Sequence, residues 1–104
     1  MTFRPVGESV NAATPGRPNG EFTALQGQYL AFIHLYSLIH RRAPAEADIQ
    51  QFFRVTPPSV HQMILALEKR GLLARTPGAA RSLRVLVSPA KLPQLVDPTS
   101  KERA

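Results

Sequence analysis

From residue 22 onward, apolar residues recur with periods that divide the chain into elements. Leu25, Tyr29, Phe32, Ile33, Tyr36 and Ile39 trace one face of a helix. Leu30, Leu35 and Leu38 lie off that face, so this helix is apolar nearly all round, the mark of an element covered on more than one side. Thr23 and Gln26 stand at capping-box spacing at its start. It should run to about Arg42 and stop before Pro44, because the residue ahead of a proline avoids helical backbone. A second helix is expected over about residues 45–53. It turns Ala45, Ile49, Phe52 and Phe53 inward and places Glu46 and Asp48 in its first turn, where the helix dipole favours anions.

Arg54-Val55-Thr56 then makes a turn. Thr56 suits the N-cap of a third helix, Pro57 suits its first position, and Pro58 still lies among amides that have no intrahelical partner. Val60, Ile64 and Leu67 recur at i, i+4, i+7 and face a core, while Gly71 closes the helix after Lys69 and Arg70. Two short apolar runs, 72–75 and 83–87, flank "TPGAARS", which reads as a β-hairpin with Arg81 at its tip. The order helix, helix, turn, helix, hairpin predicts a mainly α fold with a small β-hairpin. Residues 1–21, with Pro5, Gly7, Pro15, Gly16, Pro18 and Gly20, show no periodicity and read as a flexible arm. The folded domain is expected over 22–87, with 88–104 a C-terminal extension whose last residues, from 97, form a tail.

Composition narrows the class. A chain of 104 residues makes one small domain with a modest core. It has no cysteine, hence no disulfide framework and no thiolate metal site. No apolar run approaches the ~18–20 residues of a membrane span, and no basic stretch followed by an apolar one marks a signal peptide. A cytoplasmic protein with no membrane partner is expected.

Charge changes the picture more. The net charge is +6 and the pI about 10.8. Arg54, Lys69, Arg70, Arg75, Arg81, Arg84 and Lys91 are opposed between positions 54 and 91 by Glu68 alone. A polyanion is the natural partner of such a concentration.

Two helices joined by a tight turn, the second opening on small or polar residues, suit reading of the major groove, which the helix enters by its N-terminal turns. The outward positions at that end are Pro58, Ser59, His61 and Gln62. Gln bonds adenine bidentately, Ser bonds either base class, His donates to guanine, and Pro offers only an apolar contact to a thymine methyl.

Residues 48–86, "DIQQFFRVTPPSVHQMILALEKRGLLARTPGAARSLRVL", resemble the winged helix-turn-helix DNA-binding domain of LexA-type repressors. The resemblance lies in the Ile49–Val55 helix and turn, the Pro-Ser-Val-His start, "LEKRG" and the wing from Ala80-Arg81 to Arg84-Val85. "FTALQGQYLAFI", 22–33, is similar to that family's first helix. The resemblance implies three helices plus a wing, base reading by Pro58, Ser59, His61 and Gln62, and backbone or minor-groove contact by the wing at Arg81. Arg54, Thr56 and Arg84 join it as candidate backbone contacts. The function so implied is that of a bacterial, nucleoid-associated transcriptional regulator that binds double-stranded DNA sequence-specifically and acts as a repressor.

Two departures stand out. Only 17 residues follow residue 87, so the family's self-cleaving peptidase domain is not expected here. The turn often carries Gly where this chain has Arg54; a positive φ there strains an L-residue by ~1 kcal/mol, which a phosphate contact would offset.

Each signal has a plainer reading. Ser59, His61 and Gln62 also suit an ordinary solvated face, Arg81 and Arg84 solvated hairpin charges, and Lys69 and Arg70 complements to the helix dipole. His34 and His40 read as packed or solvated histidines, since no further ligands at metal spacing accompany them. No glycine-rich phosphate loop or nucleophile–base motif is present, so no enzyme, cofactor, metal or small-molecule ligand is expected. Leu30, Leu35 and Leu38 are surplus to one buried face and suggest either cover by flanking segments or a homodimer built on the first helix. A winged-helix protein–protein interaction module and a non-specific architectural DNA-binding protein are the competing classes.

Overall fold

The computed structural model describes residues 22–98. Its elements are α1 (Ala24–His40), α2 (Glu46–Phe53), α3 (Pro57–Lys69), β1 (Leu73–Ala74), β2 (Arg84–Val85) and a 3-10 turn (Pro89–Lys91). The two strands pair antiparallel, Leu73 opposite Val85 and Ala74 opposite Arg84. Three helices and a two-stranded wing are thus the fold that the apolar pattern predicts.

Local chemistry sets each boundary. At the start of α1 the Thr23 hydroxyl accepts from the Gln26 amide at 3.0 Å, and the Gln26 side chain accepts from the Thr23 amide at 3.0 Å. At its end Arg41 turns left-handed (φ 62°) while its amide donates to the Ser37 carbonyl. Thr56 caps α3 as expected, with Pro57 and Pro58 in the first turn. That helix ends in a Schellman motif: the Gly71 amide donates to the Glu68 carbonyl, the Leu72 amide to that of Leu67, and Gly71 supplies φ 75°.

The core is continuous through all three helices and the wing. Leu30, Ile33, Ile49, Val60, Ile64 and Leu67 are its most deeply buried large side chains, joined by Leu72, Leu73 and Leu83. Tyr29 stacks on Phe53 with ring centroids 4.3 Å apart, and Phe32 on Phe52 at 4.7 Å. This packing corrects the expected face of α1. Leu30, assigned to a dimer surface, is 0% exposed and belongs to the core. The reason is that α1 is embraced from two sides, by α2 and by β2, so its buried arc is wider than one stripe. Leu25 and Ile39, expected inward, are 53% and 72% exposed at the two ends of the helix. Leu35 and Leu38 do face outward, at 38% and 61%.

The segment after the wing lies along α1. The Gln28 side chain donates to the Gln94 carbonyl at 2.8 Å and accepts from the Val96 amide at 2.8 Å. Gly27 permits the approach: a Cβ there would lie 2.9 Å from both Phe22 and Pro93. Leu92 and Leu95 pack onto the core from this segment. Flanking cover therefore accounts for the N-terminal half of α1 and leaves Leu35 and Leu38 outside it. Residues 1–21 and 99–104, which include the expected arm and most of the tail, lie outside the described residues. Among the described residues, no helix is long and apolar enough to cross a membrane.

Candidate nucleic-acid interface

α3 carries two faces with different tasks. Val60, Ile64 and Leu67 have no exposure and pin the helix to the core. Pro58, Ser59, His61, Gln62 and Leu65 are exposed on the other side. The structure therefore brings all four expected reading residues onto one outward surface at the N-terminal end of the helix. Their freedom differs. The Ser59 hydroxyl accepts a hydrogen bond from Thr56 at 3.0 Å, so it retains its own hydrogen for an outside acceptor. His61 Nδ1 lies 3.9 Å from Glu46 Oε2 in α2, an acidic neighbour whose position on this face the sequence pattern does not reveal. The Gln62 side chain makes no hydrogen bond among the described residues.

The turn between α2 and α3 is as tight as the sequence suggests. Arg54 caps α2 with left-handed backbone (φ 58°, ψ 48°), its amide donating to the Gln50 carbonyl, and its side chain is exposed. The positive φ raised by the missing glycine is thus present. Thr56 is also exposed, with its oxygen engaged in capping.

The wing holds the main correction. Arg81 was expected to project from the hairpin tip. Its guanidinium instead folds back onto the helices: Nη1 lies 3.1 Å from Asp48 Oδ2 and 3.4 Å from both the Ala43 carbonyl and the Tyr36 hydroxyl. Asp48 serves as the pivot, because the same Oδ2 accepts from the Ala45 amide at 2.8 Å at the start of α2. That backbone hydrogen bond holds the Asp48 carboxyl below the usual aspartate range, aided by the Arg81 charge and opposed by burial. Arg81 itself has left-handed backbone (φ 55°). Ser82 stitches the loop shut: its hydroxyl accepts from the Thr76 amide and lies within bonding distance of the Thr76 and Ala79 carbonyls. Arg84 remains exposed on β2.

The charge balance is also refined. Glu68 pairs with Arg75 at 3.1 Å, which ties α3 to the wing and removes both from the free surface. Arg41 and Arg42, which precede the basic half of the sequence, are exposed and lie near Arg84 around one concave surface. Linear charge counting misses them, since only the fold brings positions 41–42 beside 81–84. Among the described residues, no cluster of three or more His, Asp or Glu side chains is placed to hold a metal ion.

No family model matches the chain. Similarity to individual proteins is clear, however. The LexA repressor of Thermosipho africanus (strain TCF52B) is 36% identical over 69 residues, which are 66% of this chain and 35% of that repressor. Over that segment this chain is similar to a LexA repressor. The LexA repressor of Thermosipho melanesiensis (strain DSM 12029 / CIP 104789 / BI429) is 33% identical over 66 residues, 64% of this chain and 33% of its own length. That of Thermotoga neapolitana is 34% identical over 68 residues, 65% and 34% respectively. The chain thus spans about a third of the length of the curated relatives it matches. In this chain the turn arginine, the wing arginine paired to Asp48 and the paired prolines of α3 are the features that shape the candidate surface.

Proposed function

We propose that this protein is a transcriptional regulator that binds double-stranded DNA in a sequence-specific manner, acting as a repressor. α3 enters the major groove, with Pro58, Ser59, His61 and Gln62 toward base edges. Arg54 and Thr56 meet the phosphate backbone beside the turn, and the 76–82 loop with Arg84 meets the backbone or minor groove. The observation that carries this reading is the division of α3: three wholly buried anchors on one side and a run of short or polar side chains on the other, at the end that enters a groove. Similarity to LexA repressors supports it. Arg81, a third exposed while paired to Asp48, shares the wing contact with Arg84. We assign it no enzymatic role.

Domain 22–87 with the segment up to residue 98 laid on α1 is the reading unit, and a homodimer brings two such units to a two-fold operator. Leu35, Leu38 and Ile39, exposed on successive turns of α1, are the surface we assign to that contact. Selection from a random duplex pool tests the central reading: a recurring motif is expected, and recovery of unselected sequences would make the protein an architectural binder. Gln62→Ala is expected to relax preference at a single base position, at about 1–3 kcal/mol, in the same selection. Recovery of a stable protein partner without any duplex shift at low salt would favour an interaction module instead.

A further inference from the structure

Arg41 and Arg42 at the end of α1 and Arg81 and Arg84 in the wing line one open trough of about 650 Å³, with His34 and Ser37 on the α1 side. No carboxylate lines it. Asp48 engages Arg81 from behind, and among the described residues Arg41, Arg42 and Arg84 have no ion pair. The plainer account of Arg41 and Arg42 is that they complement the C-terminal end of the α1 dipole. That account does not extend to Arg84, which comes from a strand and faces the same trough. Arginines from two separate elements lining one surface that no carboxylate lines make that surface electropositive and favour an anion there.

We propose that this trough holds the phosphodiester backbone of the DNA strand that runs past the wing. The planar guanidinium fork matches paired phosphate oxygens, so arginine rather than lysine on every basic wall position suits this ligand. The trough is open to solvent and large for a single phosphate, as a strand rather than an enclosed small anion requires. One wall is the returning arm of the wing, residues 81–85, so a backbone that meets the wing continues into it. The Arg81–Asp48 bond holds that wall against α2, whose first turn also carries Glu46 beside His61 of the reading helix. The assignment rests on the DNA-binding reading and extends its footprint to residues 41 and 42.

The test is the salt dependence of binding to a selected duplex by the full chain. In Arg41→Asn/Arg42→Gln, asparagine tolerates the left-handed backbone at position 41. The slope of log K against log salt should become shallower by about 1.8, at about 0.9 per phosphate, with the base preference of the wild type retained. Should the double variant melt early, Arg42→Gln alone should lower the slope by about 0.9. An unchanged slope, with the wild type binding and Gln62→Ala still relaxing base preference, overturns the trough assignment alone. Absence of duplex binding by the wild type overturns the DNA reading along with it. Tight saturable binding of inorganic pyrophosphate to the wild type, lost in the double variant while the duplex slope is unchanged, assigns the trough to a free anion and overturns the proposal.

Discussion

Arg81 shows how far one side chain's role depends on what it folds against. Its Nη1 meets a carboxylate, a carbonyl and a phenol from α1, the following loop and α2, so it braces the wing against the two helices that precede the reading helix. The carboxylate partner gives this brace a pH dependence. Asp48 has its folded pKa lowered from the ordinary 3.8, chiefly by the Ala45 amide, so its contribution is present above that value and is lost as pH falls through the folded one. Asp48→Asn is expected to lower stability at neutral pH by roughly 1 kcal/mol, a figure kept small because both partners are about a third exposed. The difference in Tm between variant and wild type should shrink as pH is lowered below the ordinary aspartate range. A gap that stays constant into acid would show that the charge on Asp48 is not what the brace uses.

The α2–α3 turn decides how the reading helix is presented. It is closed by left-handed backbone at Arg54, which is harder for an L-residue than for glycine by ~1–2 kcal/mol, part of it offset by the ~0.5–1 kcal/mol that glycine's greater freedom costs on folding. Arg54→Gly should therefore raise stability by roughly 0.5–1 kcal/mol while weakening duplex binding and flattening the salt slope by about one. Chemical denaturation and a salt titration read the two effects separately. Unchanged binding in a more stable variant would assign Arg54 to the turn alone. Beyond that turn, Thr56 and the two prolines start α3 so that its first two turns carry few bulky side chains. Pro58 narrows what they read, since it offers no hydrogen bond to a base edge.

At the scale of the molecule, packing leaves an apolar surface on the second half of α1 without a partner among the described residues. The segment after the wing covers the first half of α1, held by Gln28, and stops short of Leu35, Leu38 and Ile39. Light scattering on the eluting peak should report a dimer at tens of micromolar that Leu38→Glu converts to a monomer. A strictly monomeric wild type at that concentration would sink the α1 dimer. Two reading heads also raise affinity on repeated half-sites about 34–36 Å apart, so the same variant should bind a single half-site as the wild type does and lose the advantage on a double one.

Much of this molecule was legible in residue order because the signals are local. The Thr23–Gln26 capping box, Thr56 ahead of two prolines, Gly71 closing α3 and the Val60–Ile64–Leu67 spacing each act within a few residues, and the structure places all of them as their chemistry requires. Residue order also put Pro58, Ser59, His61 and Gln62 on one outward face, since a helix with a fixed buried stripe leaves its other side determined. Three features depended on the tertiary structure. Leu30 belongs to the core because α1 is contacted by elements distant in sequence, and no single-helix period encodes how wide that contact is. Arg81 turns inward because Asp48, 33 residues earlier, offers a carboxylate already oriented by the Ala45 amide. Arg41 and Arg42 join Arg84 because chain reversal brings them together across one trough. Local hydrogen bonding and periodicity are written in neighbouring residues; the width of a contact and the convergence of charges are set only when distant segments meet.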